Sequence, residues 1–302
     1  LMSAKSNIEW CDATWSPVVG CTKVSPGCDR CYAETMSRRL SNNSKYAQAT
    51  KADGTWSGVV SCHEDLLDQP LRWKKPRRIF VCSMSDLFHS QVPWDFIIKV
   101  FEVMASCPQH TFQVLTKRPG RMAFFAEYVW PEWQNCHPTG PWDWPPNIWA
   151  GTSVESQKYA PRLDCLARVP ARVRFVSVEP MLGPVDLTRW LLGGVDMTNW
   201  SWPEEGPSII SWVIVGAESG HGARPMDLAW ARGLVGQCQA AGVACFVKQL
   251  GCNPTLHGNE ITPPFVRGRH LLIDPKGGDP AEWPSDLRVR QFPEMPQAAG
   301  GS

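Results

Sequence analysis

The sequence predicts an α/β fold, a partial or full parallel β/α barrel of six to seven units. Short β-rich runs that are apolar on both faces recur along the chain, and most are followed by a stretch with apolar residues at helical spacing. No glycine-rich phosphate fingerprint follows the first run, which argues against a dinucleotide-binding sheet. With 302 residues, 43% of them hydrophobic, the chain has ample material for one large core.

The predicted strands, in order, are Thr14–Val19, Ile79–Ser83, Thr111–Thr116, Ile148–Thr152, Val173–Val178 and Trp212–Gly216, with a seventh at Ala244–Lys248. Between them, Cys31–Leu40, Trp94–Ser106, Arg121–Val129, Gln157–Arg168 and Met226–Ala241 read as helices. Pro119 precedes the third helix and Gly242 closes the last, as a helix start and stop require. Residues 7–251 then form the barrel. Residues 130–147 and 193–207, rich in Pro and Trp, read as insertions on its rim. Residues 252–302 form a C-terminal extension with a flexible tail at 297–302.

Thirty basic residues against 29 acidic ones give a net charge of +1, which disfavours a protein that grips nucleic acid through a broad basic face. No apolar leader opens the chain and no stretch is long enough to span a bilayer, so the expectation is a cytoplasmic protein with no membrane partner. In a reducing compartment the 12 cysteines read first as metal ligands, core fillers or catalytic groups rather than disulfides.

Chemistry in a parallel barrel sits where the strands end. The predicted strand ends carry Gly20-Cys21, Ser83-Met84-Ser85-Asp86, Thr116-Lys117-Arg118, Thr152-Ser153-Val154-Glu155, Ser177-Val178-Glu179, Gly216-Ala217-Glu218 and Lys248-Gln249. Any one Ser or Thr there is ordinary capping. The convergence of Lys117, Glu179, Glu218 and Lys248 on one edge is the feature that suggests a site.

The strongest local signal is Cys21-Thr-Lys-Val-Ser-Pro-Gly-Cys28-Asp-Arg-Cys31, directly after the first strand. Gly20, Pro26 and Gly27 let the loop fold back on itself. Thiolates are soft ligands that select zinc or iron–sulfur over hard cations. Structural zinc wants four ligands, and the nearest candidates for a fourth, Cys11 and His63, lack zinc-finger spacing. Three cysteines therefore suggest a 4Fe–4S cluster with one iron left open.

A three-cysteine loop after the first barrel strand resembles the radical S-adenosylmethionine superfamily. The usual C-x3-C-x2-C spacing is three residues longer in its first gap here, and Arg30 stands where an aromatic residue is common. More closely, the chain resembles a phage-associated three-cysteine-motif family over residues 7–251. The matching segments are Asn7-Ile-Glu-Trp10, Thr14-Trp15, Gly20–Cys28, Cys31-Tyr-Ala-Glu34, Val81–Phe88, Leu115–Pro119, Ser177–Pro180 and Gly216–Gly220.

That resemblance implies a 4Fe–4S cluster on Cys21, Cys28 and Cys31, with S-adenosylmethionine bound at the open iron. An external one-electron donor such as flavodoxin or ferredoxin would reduce the cluster, and a 5′-deoxyadenosyl radical would take hydrogen from the substrate. The implied cofactor contacts are Tyr32, Ser83, Ser85, Asp86, Lys117, Thr152, Ser153, Glu155, Glu179, Gly216, Glu218 and Lys248, with Lys117 and Glu179 also in catalytic roles. The implied substrate is a modified base in DNA or a nucleoside, in phage DNA hypermodification inside an infected host. A glycine-substituted thymine undergoing rearrangement is one such base.

Cys82, Cys107, Cys165, Cys238 and Cys245 fall in apolar patterns and read as core. Cys11 and Cys62 are the others able to join a metal site; Cys136 and Cys252 lie in predicted loops. Seven of the 16 tryptophans, Trp130, Trp133, Trp142, Trp144, Trp149, Trp200 and Trp202, crowd in or beside the two insertions, where they either stack a flipped base or bury irregular loops. Arg72, Lys74, Lys75, Arg77 and Arg78 are the phosphate-contact candidates, or else a solvated connection. Two rival readings remain: a zinc-stabilised phage protein that binds nucleic acid or a partner without catalysis, and a metal-dependent nuclease using Asp86, Glu179 and Glu218.

Overall fold

Seven parallel strands form the main sheet of the protein: β1 (Ala13–Trp15), β2 (Arg78–Val81), β3 (Thr111–Thr116), β4 (Ile148–Ser153), β5 (Arg174–Val178), β6 (Trp212–Gly216) and β7 (Ala244–Gln249). The structure, a computed structural model, describes residues 6–136, 144–193, 208–220, 222–256, 265–266, 269–270 and 272–294. The strands pair in sequence order from β1 to β7, each parallel to its neighbours. Between them run α1 (Tyr32–Arg39), α2 (Trp94–Ala105), α3 (Pro119–Phe124), α4 (Arg162–Ala167), α5 (Thr188–Leu192) and α6 (Leu228–Ala241). The predicted fold class holds, and the barrel is partial: a curled half-barrel of seven strands.

Side-chain alternation sorts the strands cleanly. Ile79, Val81, Phe112, Val114, Ile148, Ala150, Val176, Val178, Val213, Val215, Cys245 and Val247 face the helices in the large core. Phe80, Trp149, Phe175, Trp212, Ile214 and Phe246 face the concave side and form a second, aromatic core. Trp10, just before β1, touches both Phe80 on β2 at 4.7 Å and Trp212 on β6 at 6.2 Å between ring centroids. A flat sheet could not bring those strands together, so this contact records the curl. Gly151 sits on the same face because a Cβ there would lie 2.4 Å from the Phe175 ring.

The chain beyond β7 returns to the sheet. Val247 N–H donates to Val289 O and Gln291 N–H to Cys245 O. Phe292 then lies against Trp212 and Phe246, with the Arg78 guanidinium 4.2 Å from its ring centroid. Arg78 opens β2, so this segment spans the seam of the half-barrel at the N-terminal edge of the strands.

Three sequence expectations change. The run predicted as one strand over Thr14–Val19 breaks at Ser16-Pro17; Val18–Val19 instead pairs antiparallel with Ser61–Cys62. Proline has no N–H to continue a ladder. The helix predicted over Gln157–Arg168 splits into a 3-10 turn at Gln157–Tyr159 and α4, with Pro161 as its N-cap. The third change is the largest. Residues 130–136 are not a rim loop: α3 continues through a wide π-type turn at Phe125–Val129 into a helical stretch over Trp130–Cys136. The wide turn gives Pro131 room where a regular helix would clash.

Trp130 of that helical stretch and Trp144, just before β4, pack together around Phe101, toward the edge opposite the strand ends. Trp130 packs on Phe101 and Phe125 and stacks on Trp133; Trp144 meets Phe101 edge-on and donates to Ile148 O. The Asn147 amide donates to the carbonyls of Met104, Cys107 and His110, in the α2–β3 connection. Trp130, Trp144 and Trp149 are buried, so of the two readings the sequence left open for them, packing holds and stacking on a base does not. Trp142, Trp200 and Trp202, most of the 193–207 segment and the 297–302 tail lie outside the described residues. The basic run Arg72–Arg78 also leads into the start of β2, away from the strand ends.

Candidate functional site: a braced three-cysteine loop over a concave mouth

The loop carrying Cys21, Cys28 and Cys31 lies across the C-terminal ends of the strands, and three acidic strand-end residues brace it. After β2, Asp86 accepts from the Arg118 guanidinium at 2.8 Å, and Arg118 Nη2 donates to Thr22 O and Thr22 Oγ1, both at 2.9 Å. His89 fixes the same threonine. Its Nδ1 accepts from Gln91 N–H, so Nε2 carries the proton and donates to Thr22 Oγ1 at 2.8 Å. After β4, the wholly buried Glu155 accepts from Ser25 Oγ and, at 2.8 Å, from Arg162; Lys117 lies 3.7 Å away. Gly27 presses on this carboxylate: a Cβ there would sit 2.4 Å from Glu155 Cγ. After β6, Glu218 holds Arg224, which reaches over to donate to Pro26 O at 2.9 Å.

Each brace joins the loop to a strand end across a long stretch of sequence, so the loop is ordered by the barrel itself. Burial pushes Glu218 up, but the hydrogen bonds from Arg224 outweigh it and leave the carboxyl below its ordinary value. Burial raises the Cys21 thiol to about 11, with Asp86 adding to the rise and Arg118 opposing it. Burial also raises Cys31, against N–H groups of Glu34 and Ala33 at the start of α1 that point at its sulfur.

Below the loop the concave face turns polar above its aromatic floor. Lys248 follows Phe246 on β7, at a bulge where Val247 pairs with Val215 and Gln249 with Gly216. A bulge re-aims the extra residue, and Lys248 Nζ meets Glu179 Oε1 at 2.8 Å. Gly216 makes room for this pair, since a Cβ there would lie 2.7 Å from Glu179 Oε1. Burial disfavours the Lys248 charge, yet Glu179 overcomes that and holds its pKa above the ordinary value. Tyr32, the residue after Cys31, is 55% exposed and donates to Ser83 O at 2.6 Å. Desolvation of its hydroxyl raises its pKa, with Cys31, Glu179 and Cys11 adding to the shift. Loop, tyrosine and ion pair therefore face one another across the mouth.

The other expected contacts are placed as follows. Ser85 Oγ donates to Val18 O and Thr152 Oγ1 to Thr116 O, both as backbone ties. Ser153 and Ser177 continue the inward alternation above Trp149 and Phe175, and both are buried. Asp86, Glu155 and Glu218 are committed to the braces, and Gly216 to the packing of Glu179. Lys117, Tyr32, Glu179 and Lys248 line the mouth. Sequence reasoning missed Ser25, His89, Arg162 and Arg224 and gave Arg118 no role. Arg118 stood in a strand-end run already singled out, and Ser25 in the loop itself; Arg224 bonds Pro26 across 198 residues and left no local signal.

As a donor set, three cysteine sulfurs on one braced loop suit an iron–sulfur cluster. Cys31 lies within electrostatic range of Cys21, and Cys28 within range of Cys31. Among the described residues, no group of three or more His, Cys, Asp or Glu side chains is already gathered in metal-binding geometry. Cys11, a candidate fourth ligand, donates to Ser6 Oγ at 3.2 Å. No helix among the described residues is long and apolar enough to cross a membrane.

A family model described as "Protein of unknown function (DUF5131)" matches residues 5–271. No curated protein matches the chain. Among solved structures, two single-substitution mutants of spore photoproduct lyase are similar at TM-score 0.39, with 12% and 13% identity. The match covers 60% of this chain and 48% of theirs, so the chain spans about half the length of those proteins.

Proposed function

Since the chain belongs to the family of proteins of unknown function DUF5131, whose description assigns no activity, we propose its function from the site itself: a radical S-adenosylmethionine enzyme. The observation that carries this reading is the three-cysteine loop, braced at three strand ends, over a mouth lined by Tyr32, Lys117 and the Lys248–Glu179 pair. Cys21, Cys28 and Cys31 would hold a 4Fe–4S cluster. When bound, cluster and S-adenosylmethionine together supply the electron transfer that splits the sulfonium and yields a radical able to take a hydrogen atom from a substrate.

The chain's own part is orientation and exclusion of water. Lys248 and Lys117 are the cations on the concave side that suit the methionine carboxylate. Glu179 keeps Lys248 charged and aimed, and its second carboxylate oxygen is available to ribose hydroxyls. Ser153 lies on the same inward rows. Tyr32 offers an exposed aromatic face at the mouth, a role the buried tryptophans cannot take. The substrate we propose is a modified nucleobase, in DNA or as a nucleoside, such as an amino-acid-substituted thymine in phage DNA hypermodification, with flavodoxin or ferredoxin as electron donor. Near-neutral charge suits an enzyme that holds one extruded base more than one that grips a long duplex.

The test is anaerobic iron–sulfur reconstitution followed by reduction with dithionite in the presence of S-adenosylmethionine. Cleavage to methionine and 5′-deoxyadenosine by the wild-type chain, abolished in the Cys21→Ala/Cys28→Ala/Cys31→Ala variant, is the expected result. A colourless wild-type chain that holds one zinc on the same three cysteines and leaves S-adenosylmethionine intact would refute it. Comparing host nucleosides by mass spectrometry with and without the gene then tests the substrate.

A further inference from the structure

Arg118 has a role that its place in the fold does not require. A helix-capping residue needs only its backbone, and Arg118 N–H already bonds Thr116 Oγ1 at 2.9 Å. Its guanidinium instead reaches across to the cysteine loop, where Nη1 lies 3.8 Å from Cys21 Sγ, a hydrogen-bond distance for sulfur. The same Nη1 is held at 2.8 Å by Asp86, and Nη2 is held by both Thr22 oxygens. Asp86 is itself fixed by Thr116 Oγ1 at 2.7 Å and by the N–H groups of Phe88 and Lys117. Thr22 is fixed by His89. The planar fork is therefore locked from both ends, with the second Nη1–H left for the sulfur. Its side chain is 14% exposed, so water screens the contact little.

We propose that Arg118 is a positioning residue for Cys21: it orients the sulfur and, through a donated hydrogen bond, stabilises it in its electron-rich state. The inference deepens the iron–sulfur reading and rests on it. Hydrogen bonds to ligand sulfurs and nearby positive charge favour the reduced form of a cluster and raise its potential. Asp86 offsets part of the charge, so the hydrogen bond and the fixed geometry carry most of the effect.

The experiment compares reconstituted wild-type, Arg118→Met and Arg118→Lys chains by iron content and by redox titration of the cluster. The expected result is that all three take up the cluster, and that Arg118→Met lowers its midpoint potential by about 59 mV, a tenfold change in a one-electron equilibrium. Arg118→Lys, which keeps the charge but not the fork, should shift it in the same direction by less. If Arg118→Met does not fold, the lysine variant decides alone. Unchanged potentials in variants that hold the cluster would overturn the role of Arg118 and leave the proposed function standing. A wild-type chain that takes up no cluster would instead remove the reading beneath it.

Discussion

Glu155 shows how much one residue carries at this site. It has no exposed surface, yet it is a carboxylate bonded to Ser25 and Arg162 with Lys117 close by. Deleting one member of a buried charged cluster leaves its partners uncompensated, a loss of about 3–5 kcal/mol. Glu155→Ala should therefore lower unfolding stability by that order in urea titrations, and an unchanged midpoint would show that the brace contributes nothing. From sequence, Glu155 was legible as a polar strand-end residue. Its role was not, because Ser25 lies 130 residues away and nothing local announces the pairing. The same distance hid Arg224. Lys248 was legible as a strand-end cation, whereas the bulge that aims it depends on register with β6 and is invisible in the chain.

At the scale of elements, strand bodies were read from their apolar runs, and the cysteine loop from its spacing and its prolines and glycines. Residues 130–136 were misread because Trp and Pro suggest an irregular rim. Their order in the chain held the better clue: residues that follow a helix and precede a parallel strand lie toward the N-terminal edge, opposite the strand ends. For the same reason, replacing the exposed Lys74 and Lys75 by alanine should leave cluster uptake and S-adenosylmethionine cleavage unchanged. A loss of either would place the basic run at the working end after all.

The loop braces also carry a pH dependence. The Glu218 carboxyl is held below its ordinary value, so its stabilisation is complete above the usual carboxylate range and is lost as pH falls through that lowered value. The difference in thermal midpoint between wild type and Glu218→Gln should be largest near neutrality and close in acid. A difference that persists unchanged in strong acid would contradict the assignment.

The whole molecule keeps its aromatic packing and its candidate site at opposite ends. The aromatic floor, with Trp212 touching Trp10, Trp149, Phe175, Phe246 and Phe292, holds the sheet in its curl and lets the C-terminal segment cover the seam. Trp212→Ala should cost about 3–5 kcal/mol, read by denaturant unfolding, because it opens a large void in a closely packed core. A fully neutral substitution would mean that the curl is fixed elsewhere. The other end holds the loop and its mouth.

The central claim is that Cys21, Cys28 and Cys31 hold a 4Fe–4S cluster whose fourth iron binds S-adenosylmethionine. Electron paramagnetic resonance of the reduced, reconstituted chain tests it most directly, with and without S-adenosylmethionine. The predicted result is a reduced-cluster signal that changes shape when S-adenosylmethionine is added and is lost in the triple alanine variant. A signal indifferent to S-adenosylmethionine, or one that survives removal of the three cysteines, would contradict the account.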